Sequence, residues 1–368
     1  MDNISEIDKK IEAVEKKYSY ASDDIYYFNT HRPASLVRKL QNRINEFDQG
    51  FIPDVFAKAL GEEIISYDIS RFFGTGHVIV FAKTKSGRDL VLRVNHALDI
   101  PEYYMDMEKD IVARFKNAGI PSVSILASDT SRKDFPFDYQ IMLLLAGKDL
   151  ENEWQGSQSD YNNISFELGK IIAKQYKIPG VGWGRLKLDN SGAIVGSKDS
   201  HHSYLTAYLD HDLEFISLFE FLDKPSVERI REFFDSSALN RLFEDTNQAY
   251  FIHHDLADHN IRYDKNHIVA VFDWENTVLF DPISDLGSAP TWATHYPREQ
   301  KMIDGFIDEL GYKPANLESK IAVYFLRTMI WKVQFALKGK RLSARHIDLF
   351  KDAAKRNGIQ VNVIGEPI

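Results

Sequence analysis

No cysteine occurs among the 368 residues. That excludes disulfides, thiolate nucleophiles and cysteine zinc sites, and it fits a reducing compartment. A basic excess is missing too, since 45 Lys and Arg stand against 54 Asp and Glu, a formal charge of -9. Nucleic-acid binders normally carry a basic face, so no nucleic-acid partner is expected, whereas a cationic or metal-chelated ligand is compatible. The opening MDNISEIDKKIEAVEKKY has no apolar stretch behind a basic segment, so no signal peptide is read there and cytoplasm is the expected location. Long apolar runs are also lacking: the longest, 321–337, is broken by Arg327 and Lys332 and reads as a buried helix, with no membrane span. No repeat and no low-complexity tract interrupts the chain.

What is present is the composition of a globular protein, 44% hydrophobic and 12% aromatic, in a chain too long for one compact core. Ile4, Ile7, Ile11, Val14 and Tyr18 recur at helical spacing, and a second helical stretch covers 35–47. From about residue 64 the pattern turns to strands: SYDISRFF, GTG, HVIVFAKT, SGRD and LVLRV predict an antiparallel sheet with Gly-containing turns. A helix over 102–117 is stopped by Gly119 and Pro121, and another strand is expected over 139–145. Thereafter helices dominate, at 161–176, 202–222, 226–234, 300–310 and 317–337, with a short strand at 268–272. The expected class is α+β, with a helical extension at 1–50, a small sheet lobe at 51–147 and a larger helical lobe at 148–368.

The chemistry concentrates in FIHHDLADHNIRYDKNHIVAVFDWENTVLFDPISDLG, residues 251–287. It contains His253-x-Asp255-x-x-x-x-Asn260, an apolar strand, and then Asp273. Phosphoryl transfer from a nucleotide to an alcohol needs a carboxylate beside the attacking hydroxyl and oxygen ligands for magnesium. This spacing puts both on one loop, while a strand-ending Asp offers a second oxygen to the metal. Asp255 is therefore read as base, with Asn260 and Asp273 as magnesium ligands. Asp and Asn are also common turn formers, and the strand and Asp273 at the expected distance are what favour the chemical reading.

The same residues resemble the catalytic segment of aminoglycoside phosphotransferases and choline kinase-like enzymes, typically H-G-D-L-H-x-x-N, a hydrophobic strand, D-W-E and D-P-x-x-D-L. His253, Asp255, Leu256 and Asn260 match, as do Asp273-Trp274-Glu275, Asp281-Pro282 and Asp285-Leu286. His254, Ala257 and Asp258-His259 depart from the pattern without removing a catalytic oxygen. The resemblance implies a protein-kinase-like fold, ATP or GTP as donor, Mg2+, a small-molecule substrate and a monomer or dimer. It also requires a phosphate-handling cation and a glutamate to orient it, for which Arg93 in LVLRV and Glu108 in the next helix are the candidates. Arginine grips phosphate bidentately, so it is a workable replacement for the usual lysine.

Three further assignments leave two readings each. Gly74 and Gly76 form either the turn over the nucleotide phosphates or a plain hairpin turn. Leu143 and Leu145, before Ala146-Gly147, mark either an interlobe hinge for adenine or a buried strand end. Asp210, Asp212, Glu214 and Asp258 line either an acidic acceptor cleft or solvated surface.

LVLRVN, FKNAGIPSVSIL and IPGVGWGRL are most similar to hygromycin-type phosphotransferases, which implies an aminoglycoside or aminocyclitol acceptor; its hydroxyl must reach Asp255 from the side away from the hinge, which places it near 180–213 and 292–296, with Glu275 and Trp292 as further contacts. Choline, homoserine, a thiosugar or a macrolide on the same fold is the alternative, with Trp292, Tyr296 and Trp331 available as an aromatic box. A nucleotide-binding pseudokinase or scaffold is the alternative of another class, against which Asp255, Asn260 and Asp273 are all present.

Overall fold

The computed structural model describes residues 6–18, 34–70, 76–97 and 104–367. In chain order the elements begin with α1 (Glu6–Lys17), α2 (Ala34–Glu46), α3 (Phe51–Leu60), β1 (Ile64–Ile69), β2 (Val78–Thr84) and β3 (Asp89–Asn95). There follow α4 (Tyr104–Asn117), β4 (Ile125–Asp129), β5 (Asp138–Leu143), β6 (Lys148–Asp149), α5 (Gln158–Lys174), β7 (Pro179–Gly180), β8 (Trp183–Leu188) and β9 (Ile194–Lys198). Then come α6 (His201–Leu205), α7 (Leu209–Leu218), α8 (Lys224–Phe234), α9 (Ser237–Leu242), β10 (Ala249–Ile252), β11 (Ile261–Asp264), β12 (His267–Val271) and β13 (Val278–Phe280). The chain closes with α10 (Ile283–Trp292), α11 (Glu299–Leu310), α12 (Leu317–Lys338) and α13 (Ala344–Arg356). Among the described residues no helix is long and apolar enough to cross a membrane.

Two compact units divide the chain. One joins α1 to Gly156–Asp258 and to everything from Asn276 onward, and the other holds α2 through Gln155 together with His259–Glu275. The expected extension over 1–50 is thus split, α1 going to one unit and α2 to the other.

The sheet unit is built on a five-stranded antiparallel sheet in the order β1-β2-β3-β5-β4. Strand β2 alternates buried positions with partly buried or exposed ones, as a sheet with one covered face requires. Val78, Val80, Leu90, Leu92 and Ile141 meet Ile52, Val55 and Phe56 of α3 and Phe47 after α2 in one core. A second, three-stranded sheet, β12-β11-β6, carries the returning segment in this unit. There Val271 N–H donates to the Pro121 carbonyl at 2.9 Å.

The helical unit packs α12 against α10, α13 and α7, and α5 against α11. Seventeen of the 22 residues of α12 are buried, so this helix is enclosed on nearly every side. Helix α5 starts at a capping box, Ser157 accepting from Asp160 N–H while the Asp160 carboxylate accepts from Ser157 N–H. A five-stranded sheet, β7-β10-β13-β8-β9, delivers β10 to the start of the 251–287 segment.

Candidate active site

In the sheet unit Arg93 projects from β3 and is buried, so its charge needs partners. Its Nη1 donates to Glu108 Oε2 at 2.9 Å and its Nη2 to Glu275 Oε2 at 2.6 Å, with Asp273 Oδ1 at 4.0 Å. Glu108 is itself fixed, because Oε2 also accepts from Gln140 Nε2 at 3.2 Å and Oε1 accepts the Trp274 backbone N–H at 3.2 Å. Trp274 is fully buried with its ring 4.1 Å from that of Phe115 on α4. The D-W-E segment is therefore locked to α4 by a backbone hydrogen bond and an aromatic contact.

His77, which sequence reasoning did not single out, joins this network. Its Nε2 lies 2.9 Å from Arg93 Nη2 and 3.1 Å from Glu275 Oε2, so the position of the ring proton decides which of them it bonds. Arg43 of α2 donates through Nε to the His77 carbonyl at 2.7 Å and holds the residue from behind. The only sequence signal was a histidine directly before an apolar strand. Gly76 lies in the bend preceding His77, whereas Gly74 is outside the described residues.

The β11–β12 hairpin brings Asn260 and Asp273 to one end. Ile261 pairs with Val271, and Phe272 N–H donates to the Asn260 carbonyl at 3.1 Å, so Asn260 and Asp273 flank the last rung. Asp273 has φ 64, in the left-handed region that costs a non-glycine residue energy, and its side chain is 37% exposed. An amide oxygen beside a carboxylate is an all-oxygen donor set of the kind magnesium takes. Among the described residues no three His, Asp or Glu side chains form a group that could hold a metal ion.

In the helical unit Asp255 follows His254, which has φ 66 and turns the loop sharply after β10. Asp255 is buried; its backbone N–H donates to His253 Nδ1 at 3.2 Å and its Oδ2 accepts from Asn276 Nδ2 at 3.2 Å. His253 thus fixes the backbone at Asp255. Asn276, the residue after D-W-E, was not foreseen as a partner. Asp285 of α10 lies behind this loop, fully buried, with Oδ2 accepting from Gln175 Nε2 at 3.0 Å. Burial pushes its carboxyl up to about 7, against the downward pull of Gln175 and the His254 and His253 backbone N–H groups.

The remaining expected residues meet other partners. Strand β5 ends at Leu143, short of the expected 145, with Leu143 exposed and Leu145 partly so. Leu143 N–H donates to the Ser124 carbonyl and Leu144 N–H to the Asp89 carbonyl, each at 3.0 Å. The acidic residues do not converge. Asp258 is buried, bound to Arg298 Nη1 at 2.7 Å and to the Tyr161 hydroxyl at 2.8 Å. Asp212 is buried against Arg327 Nη1 at 3.1 Å, while Asp210 is exposed and accepts from Arg231 Nε at 2.9 Å. Glu214 accepts from the Tyr18 hydroxyl at 2.8 Å. Burial with an arginine, and not an open cleft, explains Asp212 and Asp258. A separate cavity of about 290 Å³ in this unit is lined by Trp183, His201, His202 and Phe243, the first three within the 180–213 stretch expected near the acceptor, but by none of the acidic residues expected there.

The model of a phosphotransferase enzyme family, APH, matches residues 74–318, well over half of the chain. No curated protein matches. Among solved structures, a macrolide 2'-phosphotransferase from Brachybacterium faecium superposes with a TM-score of 0.56 at 15% identity, covering 84% of this chain and 98% of its own. A thermostable mutant of the aminoglycoside phosphotransferase APH(4)-Ia, in ternary complex with AMP-PNP and hygromycin B, gives 0.56 at 16% identity, covering 84% and 97%. A candidate fructosamine-3-kinase from Thermobifida fusca gives 0.59 at 13% identity, covering 83% and 98%.

Proposed function

The chain belongs to the phosphotransferase enzyme family and is a small-molecule phosphotransferase of protein-kinase-like fold, and within that class we propose that Asp255 is the base that receives the acceptor's hydroxyl proton. The observation that carries this reading is the way Asp255 is held: one carboxylate oxygen is oriented by Asn276 and its backbone by His253. A base must present one oxygen to the hydroxyl in a fixed direction, and such positioning is a large part of its effect.

Arg93 is assigned to the nucleotide phosphates, with Glu108 orienting it from one side. In the geometry described, its second nitrogen is on Glu275, so binding a phosphate there requires that contact to be exchanged or shared. Asn260 and Asp273 would hold magnesium, which when bound supplies charge neutralisation for the transferred phosphoryl group. ATP or GTP is the donor in this reading, and AMP-PNP stands beside hygromycin B in one structural relative. That relative supports an aminocyclitol acceptor by likeness alone, because Asp210, Asp212 and Asp258, expected to attract its amines, each meet an arginine.

Asp255→Asn tests the reading, since it keeps the volume and removes the proton acceptor. Turnover in a magnesium-dependent nucleotide-coupled assay should fall on the order of a hundredfold or more, with nucleotide affinity unchanged. Wild-type turnover in the folded variant would remove Asp255 from the mechanism.

A further inference from the structure

Lys332 lies on α12, in the same unit as Asp255. Its ammonium is 3.2 Å from the centre of the Trp292 ring and 5.7 Å from that of Trp331. A ring face attracts a cation but accepts no ordinary hydrogen bond, and an ammonium has three N–H donors to satisfy. Among the described residues Lys332 has no hydrogen bond and no ion pair, although it is partly buried.

The surrounding charge compounds this. Burial pushes the Lys332 pKa down to about 7; Asp255 pulls it up, while Arg345, Arg298 and Arg341 push it further down. His346 on α13 is lowered as well, by burial and then by Lys332, Arg341 and Arg345. Of these neighbours Arg298 is taken up by Asp258 and the Leu256 carbonyl, and Arg345 donates to the Ala293 carbonyl at 2.6 Å. Arg341 lies with its guanidinium 4.2 Å from the Phe335 ring centre. Cations thus outnumber carboxylates around Lys332. Such a field repels a polyamine and favours an anion, which would also complete the lysine's hydrogen bonding.

We propose that the acceptor carries an anionic group, a carboxylate or a phosphate, bound by Lys332 above Trp292 with Arg341 and Arg345 reinforcing its field. This rests on the kinase reading and names the acceptor class for it. The hydroxyl goes to Asp255, while the anion anchors the molecule on α12.

Calorimetric titration, with the nucleotide site filled by AMP-PNP and magnesium, tests this with four probes: inorganic phosphate, gluconate, glucose and glucosamine. Phosphate or gluconate should bind more tightly than glucose, with glucosamine no tighter than glucose, and the anion affinity should weaken as salt rises. Lys332→Met should lower anion affinity about tenfold or more while leaving glucose unchanged, and Lys332→Arg should retain most of it. Arg341→Gln, at an exposed position, should lower it about threefold and keeps the test informative if Lys332→Met misfolds. Tightest binding by glucosamine, equal anion affinity in wild type and Lys332→Met, or no anion binding at all would each overturn the proposal. Failure of AMP-PNP with magnesium to bind tells instead against the kinase reading, and the same anion titration without nucleotide then still reads the lysine.

Discussion

Asp285 shows what burial does to one carboxyl group. Burial holds its proton up to about 7, helped by the nearby charge of Asp255 and opposed by Gln175 and the His254 and His253 backbone N–H groups. A carboxyl whose folded value lies above its unfolded value stabilises the fold below the unfolded value and loses that contribution as pH rises through the folded one. Between about pH 4 and pH 7 Asp285 should therefore make the protein progressively less stable. Asp285→Asn removes the titration, so melting temperatures of the two proteins compared across that range should diverge, the wild type falling more steeply with pH. Parallel curves would mean that Asp285 does not titrate there. Asp285 was legible in the sequence only as part of D-P-x-x-D-L, whereas its role behind the 253–254 backbone needed the fold. Arg93 and Glu108 were more legible, because a charge on the buried face of a strand and another on the buried face of a helix each call for a partner.

At the scale of elements, the α5–α11 contact is made backbone to backbone. A Cβ on Gly305 would come 1.9 Å from the Phe166 carbonyl oxygen, and one on Gly169 would come 1.9 Å from that of Met302. Neither obstacle is a side chain that could swing away. Gly305→Ala should therefore force the helices apart and destabilise the protein by about 3 kcal/mol, read as a lowered denaturant midpoint with an unchanged slope. A neutral effect would show that the helices separate freely. Long periodic elements such as α4 and α12, and the β2–β3 hairpin, were legible because each has one strong pattern. Helix α10 was not, since it is buried along most of its length and contains Pro290, which breaks the usual helix signature. The 202–222 stretch reads as one helix but is two, because Tyr208 takes φ 60 between α6 and α7.

For the whole molecule the expected boundary near 147 missed the return of 259–275 to the sheet unit, a feature that no local pattern announces because it depends on a strand pairing with another more than a hundred residues away. Strand β11 pairs with β6 and β12, and Trp274 covers Phe115, so the unit is complete only with a segment encoded far downstream. A chain stopped after Gln155 should lack a cooperative unfolding transition, and an added peptide spanning 259–275 should restore it; full cooperativity without the peptide would contradict this. The same discontinuity bears on biosynthesis. After α1, the sheet unit starts to leave the ribosome, yet it must wait for Glu275 to emerge before β11 and Trp274 can take their places. Through that interval Phe115 and the edge of β6 stay uncovered, which makes the nascent polypeptide a natural client for a chaperone while the intervening stretch is translated.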